Sequence, residues 1–375
     1  FDVVDAGKVW LSGLSIENGK PDERWFGTAG NGGGIRAIGT EVVLFEVAIR
    51  DCYAYNGGGV FTTGPISIAR STIAGNLTLL DSHRYGGGVY GTSTLEIIDS
   101  TVFGNNATYG GGVYTTGAAS VRNTTIAGNS GSAVHNEGIA SLLNVTIAEN
   151  TGYGIVNRGI LSSVQSTVTD GINNEKGLAT LTNSIVAGNS TSTAARDVLG
   201  TFDPAGRGNL IGVIDGSNGL TLDPSTQFGT LASPLDPLLG PLAYNGGATA
   251  TRLLLPGSPA LDAGVNAGAV DPDGSILTTD QRGTGFPRVV GGSVDVGAVE
   301  GMDSVAPRLD FEGTTGRIEI RSPGWVDWFV EGVSIDAVVT LYADPDGFLN
   351  GNEVLLREDT LADRGDTGWT WYGLD

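Results

Sequence analysis

Four groups of residues in this 375-residue sequence have types and spacing that could do chemistry. The first is a column of flat side chains, Phe61, Tyr90 and Tyr114, with Arg36 and His135 at the equivalent places. Each of these residues follows an Ile or Val that closes a glycine-rich signature, as in Gly86-Gly87-Gly88-Val89-Tyr90. Strand side chains alternate, so if the valines point inward the rings form an outer column, a platform suited to sugar rings. The same column could instead only stiffen the sheet or pack under a loop. The second group lies in two insertions. Trp25 and Phe26 fall within residues 19–30, and His83, Arg84 and Tyr85 within residues 77–85. The ligand-binding candidates are therefore Trp25, Phe26, Phe61, His83, Arg84, Tyr85, Tyr90 and Tyr114.

The third group is a polar column three residues ahead of a repeated Ile or Val: Glu46, Arg70, Asp99, Asn123, Asn144 and Gln165. Glycoside hydrolysis needs two carboxyls about 5–10 Å apart across a sugar bond. Glu46 and Asp99 would stand about 9–10 Å apart across one intervening coil, which makes Glu46, Asp99 and Arg70 the catalytic alternative. Arg70 between them would hold both carboxyls low, which suits ion pairing better than a general acid. A polysaccharide lyase would need a base and commonly an acidic Ca²⁺ cluster. Arg70, Arg84 and Arg122 are available with Asp51, Asp81 and Asp99, but the sequence clusters no three acids in the repeats. The fourth group, Asp344, Asp346, Asn350 and Glu353, follows part of an EF-hand loop spacing, with Tyr342 where the first ligand belongs. An acidic β-turn is one reading of it, and an opportunistic Ca²⁺ site the other.

Composition removes several classes. Asp and Glu number 41 against 20 Lys and Arg, a net charge of −21 that would repel nucleic acid and anionic membranes. No apolar run of about 18 residues is present to span a bilayer. One cysteine, Cys52, and two histidines leave no disulfide framework, no Cys-based zinc site and little for a His-dependent centre. Five Asn-X-Thr sequons, the first at Asn76, read as by-products of Asn and Thr at corners.

The elements that must carry these residues are repeats. Ser71-Thr72-Ile73-Ala74-Gly75-Asn76 recurs at Ser100–Asn105, Thr124–Asn129, Val145–Asn150 and Ser184–Asn189. The apolar position steps from Ile49 to Ile73, Val102, Ile126 and Ile147, at intervals of 24, 29, 24 and 21 residues. Short β-branched runs broken by Gly and Asn carry no helical period and no leucine-rich framework. The pattern predicts an all-β fold, a right-handed parallel β-helix over residues 1–200, with the apolar column inside. Asn76, Asn105, Asn129, Asn150 and Asn189 should stack at one corner and bond from coil to coil. Both insertions should leave the solenoid at a single corner, the face on which repeat proteins often bind.

Beyond Asn189 the rhythm breaks. Residues 201–302 hold Asp236–Leu242, Tyr244–Gly247, Leu254–Gly264, Asp280-Gln281-Arg282-Gly283 and Asp295–Glu300. Together with the repeats these segments resemble bacterial "choice-of-anchor" surface proteins, which are similar to polymorphic outer-membrane protein repeats. The resemblance implies a secreted or cell-surface β-helix whose parent chain carries an anchoring signal. Residues 201–302 would then close the helix, and residues 303–375 read as a β-sandwich-like (Ig-like) module, incomplete at its edge. The first residues lack a signal-peptide pattern, so a processed form or a portion of a longer chain is expected. An uncapped first coil, Val9-Trp10-Leu11 and Leu14-Ser15-Ile16, would favour pairing with other copies or matrix proteins. The function expected is adhesion, matrix or glycan binding without catalysis. A polysaccharide lyase or glycosidase acting in a groove along the solenoid is the alternative.

Overall fold

The computed structural model describes residues 1–21, 30–78, 84–189, 196–220, 223–271 and 273–301, together with the backbone of four later strands. Residues 1–301 and 302–375 form two separate units. The first is a parallel β-helix. One sheet stacks ten strands, among them Ile35–Ile38, Val60–Thr62, Val89–Gly91, Val113–Thr115, Val134–Asn136 and Ile155–Asn157. A larger sheet takes the remaining two sides of each coil, with Glu41–Phe45, Ile66–Ala69 and Leu95–Ile98 on one and Ala48–Arg50, Thr72–Ala74 and Thr101–Phe103 on the other. Ala118–Ala127 and Ile139–Ala148 run through both sides as single bent strands.

The register is the one the apolar repeat predicts. Ile49, Ile73, Val102, Ile126 and Ile147 are direct partners from coil to coil, and all sit in the continuous core. The glycine signature has a steric cause besides conformation. Gly86 takes φ +65°, while the next residue, Gly87, lies so close to the following coil that a Cβ would stand 2.5 Å from the Gly111 carbonyl oxygen.

The asparagine corner forms a buried amide ladder. Asn76 Nδ2 donates to Asn105 Oδ1 (2.9 Å), Asn105 to Asn129 (3.0 Å) and Asn129 to Asn150 (2.9 Å). Each Oδ1 also accepts the main-chain N–H of the asparagine one coil before. The next rung is a carboxylate, Asp170, which accepts from Asn150 Nδ2 at 2.7 Å. Asn189 departs from the expected ladder, its main-chain N–H donating to Asp197. A second ladder, Asn136, Asn157 and Asn174, runs inside the other sheet.

The third group of residues forms a column of bends, in which Arg70 and Glu46 of adjacent coils pair. Glu46, Arg70, Asp99, Asn123, Asn144, Gln165 and Asn183 all adopt left-handed backbone, φ between +46° and +54°. They are bend residues, each turning the chain from one side of the coil to the next, where Asn and Asp are the best tolerated non-glycine types.

Residues 236–301 run back along the flank of the solenoid. Arg122 forms a bidentate pair with Asp271. Gln281 bonds Thr146 and Thr125, Thr167 receives Ala298 N, and Asn183 exchanges hydrogen bonds with Val265. These contacts span several coils, so the stretch expected to close the helix braces its side. Within it Arg288, wholly buried, donates to Glu300 and to the Gly297 and Asp295 carbonyls. In the second unit the described strands form two antiparallel pairs, Arg317–Glu319 with Asp327–Phe329 and Val338–Ala343 with Val354–Thr360.

Candidate functional site

The aromatic column exists. Each coil places its ring directly beneath the last, because Phe61, Tyr90, Tyr114 and His135 are register partners in one parallel sheet. Ring centroids are 5.1 Å apart from Phe61 to Tyr90, 5.1 Å from Tyr90 to Tyr114 and 5.2 Å from Tyr114 to His135, with interplanar angles of 9°, 14° and 20°. Their preceding partners, Val60, Val89, Val113 and Val134, point into the core, so the rings lie on the outer face as alternation requires.

The open platform does not. Phe61, Tyr114 and His135 are only 4%, 7% and 2% exposed. A second tier packs on Tyr114 and His135. Tyr85 lies 4.6 Å from Tyr114 and 5.4 Å from Tyr109, and Tyr109 meets His135 edge-on at 5.4 Å. Phe61 and Tyr114 are thus buried members of a packed aromatic cluster. Desolvation pushes the Tyr114 hydroxyl well above the ordinary phenol range and raises Tyr90. The same burial lowers His135, against the hydrogen bond that its Nε2 shares with Glu137 Oε1 at 3.1 Å. Glu137 continues into a surface ladder through Arg158 to Glu175.

What faces outward at this corner is the second tier and, from the column, Tyr90. Tyr85, Tyr90 and Tyr109 are half-buried, as are Arg84 and Tyr55. The Arg84 guanidinium lies 4.4 Å from the centre of the Tyr55 ring, a cation–π contact. Tyr85 N donates to Asn56 Oδ1, and Tyr55 N donates to the Gly30 carbonyl. The roots of both insertions therefore meet at the segment Tyr53–Asn56. Trp25, Phe26 and His83 lie outside the described residues. Sequence reasoning missed Tyr55 and Tyr109. Tyr109 stands immediately before Gly110 as Tyr85 stands before Gly86, and the two are bridge partners. That repeated position was the available signal.

The residues of the catalytic alternative stand elsewhere. Arg70 pairs with Glu46 at 3.0 Å on an exposed bend, and Asp99 accepts from Asn123 Nδ2 at 3.0 Å. All three belong to the bend column and not to the aromatic corner. Among the described residues no group of three or more His, Cys, Asp or Glu could hold a metal ion, and Asp344, Asp346, Asn350 and Glu353 lie outside them. Among the described residues no helix is long and apolar enough to cross a membrane. No protein-family model, curated protein or solved structure matches the chain.

Proposed function

We propose that this β-helix is a secreted or cell-surface binding protein, of the kind its resemblance to choice-of-anchor proteins implies, and that it recognises polysaccharide or cell-surface glycan without catalysis. The observation that carries the reading is the tyrosine corner. Tyr85 and Tyr109 stand at the corner with Arg84, over a column of four stacked rings of which Tyr90 is half-exposed. Such a surface supplies flat apolar contact and hydrogen-bonding rims at low entropic cost. Binding is favoured over bond cleavage because Glu137, the carboxylate that borders the cluster, is engaged by both His135 and Arg158.

The test is a glycan array with the whole chain, followed by titration of retained glycans against Tyr85→Ala and Tyr109→Ala. Loss of at least tenfold in affinity, with unchanged far-ultraviolet dichroism, supports the corner as the site. Release of new reducing ends from an acidic polysaccharide would shift the assignment to a lyase or hydrolase.

A further inference from the structure

The larger sheet carries a broad surface that the tyrosine corner does not use. Eight parallel strands stack on one side of the coils in unbroken register, from Lys8–Ser12 through Glu41–Phe45 and the first half of Ile139–Ala148 to Leu178–Thr182. Val42, Ile68, Ile97, Val121 and Leu161 of these strands point into the core, so the alternate residues face out. Among those, Trp10, Ile139, Ile160 and Leu178 are 64%, 54%, 49% and 51% exposed. The last three are direct partners on successive coils. A single exposed aliphatic needs no explanation, whereas a contiguous patch marks an interaction surface.

Charge decides what can cover it. The chain carries −21, yet on this face Lys8 pairs with Glu41 at 2.6 Å, and the other outward charges are Glu96 and Arg122. The outward residues of the eight strands therefore sum to zero. Two copies of a polyanion repel wherever their acidic surfaces meet, so a balanced face is where they can approach. A cationic partner would be drawn to the acidic surfaces instead. Eight strands of about five residues span roughly 35 by 15 Å, on the order of 500 Å² per copy. Two such faces together bury about 1,000 Å², the size of a weak, reversible contact.

We infer that this face joins two copies of the chain, sheet on sheet, about a two-fold axis laid along the strands. Such an axis reverses the order of the coils and keeps each outward column opposite itself. Pro65 of one copy then faces Ile139 of the second, Phe45 faces Val164, and Trp10 comes over Thr180 beside Leu178. Glu96 faces Ser120, and the nearest outward charge on that strand is Arg122. The other two-fold axis, along the solenoid, would set Glu96 against Glu96 at the centre of the contact, where like charges are costly.

Sedimentation equilibrium of the whole chain reads the association. The dimer fraction should rise between about 10 μM and about 1 mM. It should rise further when sodium chloride goes from about 0.05 to about 0.3 M, because salt screens the repulsion between copies. Ile160→Glu sets a carboxylate opposite Glu41 of the second copy and should weaken association at least tenfold. Tyr244→Glu, at a side chain 77% exposed and outside the eight strands, adds the same charge and should leave association within twofold. For the arrangement, Ser67→Cys mixed with Ser141→Cys should give mixed dimers with a short bismaleimide, and neither variant should cross-link to itself. Should Ile160→Glu lower the urea midpoint, the cross-linking pattern decides alone. A chain that stays monomeric up to about 1 mM, association that a folded Ile160→Glu leaves intact, or Ser67→Cys cross-linking to itself overturns the inference.

Discussion

Tyr114 lies flat on His135, centroids 5.2 Å apart, and the imidazole is closed from outside by the edge of Tyr109. The histidine ends an aromatic column and stacks as a neutral ring. Its Nδ1 is buried without a hydrogen-bond partner, while Nε2 faces Glu137. A charged imidazolium there would lose its hydration on one side and keep a single carboxylate on the other.

The contribution of His135 to stability should consequently fall on acidification in the range where imidazole titrates. Burial lowers the folded-state pKa of His135, so below the ordinary value of about 6.5 the unfolded chain binds the proton more readily. The contribution is whole above that value and is lost as pH drops from there through the depressed folded value. Glu300, pushed up to about 7, and Asp295, pushed up to about 6, take up protons on folding in the same window and act in the opposite sense. The histidine is therefore read by difference: His135→Phe, which keeps a stacked ring, should gain in urea midpoint on the wild type from pH 7.5 through 6.5 to 5.5. An equal slope in both proteins would show that other groups set it.

The amide ladder should be costly to interrupt. Asn129 Oδ1 accepts two hydrogens from Asn105, and Asn129 Nδ2 donates to the Val102 carbonyl and to Asn150. Asn129→Ala strands the buried Asn105 main-chain N–H and the Val102 carbonyl, and leaves Asn105 Nδ2 only its bond to the Ile73 carbonyl. At about 1–3 kcal/mol per stranded polar group, a loss of roughly 3 kcal/mol is expected. Hydrogen exchange should rise at Asn105 and Asn129 before it rises at the coils around Ile35. Uniform exchange across the solenoid would mean that the coils open together.

How much of this was legible follows the periodicity. The Ile49–Ile73–Val102–Ile126–Ile147 column and the first four ladder asparagines repeat at fixed offsets, so both register and interior could be read directly. The bend column was visible as polar residues, yet its left-handed backbone was not, because Arg70 and Gln165 are types that rarely adopt it. The covering of the aromatic column depended on Tyr85 and Tyr109 folding over it, a tertiary contact with no local pattern. The ladder of Asn136, Asn157 and Asn174 begins only midway along the sheet, where Thr62, Gly91 and Thr115 hold the earlier rungs, and so reads as isolated asparagines. The brace was hidden for a similar reason, because residues 236–301 form an aperiodic segment whose bonds to the flank of the repeats, such as Gln281 to Thr146 and Ala298 to Thr167, are tertiary contacts.

That aperiodic segment depends on one buried cation, and this gives the sharpest stability prediction. Arg288 is wholly buried and donates to Glu300 Oε2 (2.8 Å), the Gly297 carbonyl (3.0 Å) and the Asp295 carbonyl (3.2 Å). Glu300 in turn accepts the main-chain N–H groups of Val290 and Asp295. Burial pushes the Glu300 carboxyl up to about 7 even with the guanidinium beside it. Arg288→Met fills similar volume but leaves that carboxylate and two carbonyls without their donor. Breaking a buried pair from one side costs about 3–5 kcal/mol. The loss should fall on the brace first, since Gly297 and Ala298 hold Asn183 and Thr167. Limited proteolysis of Arg288→Met should cut within 236–301 at urea concentrations that leave the coils of residues 35–150 intact. The double variant Arg288→Met/Glu300→Leu should recover part of the stability, because it removes the stranded charge. If cleavage instead appears throughout the chain at once, the brace and the solenoid unfold as one cooperative unit.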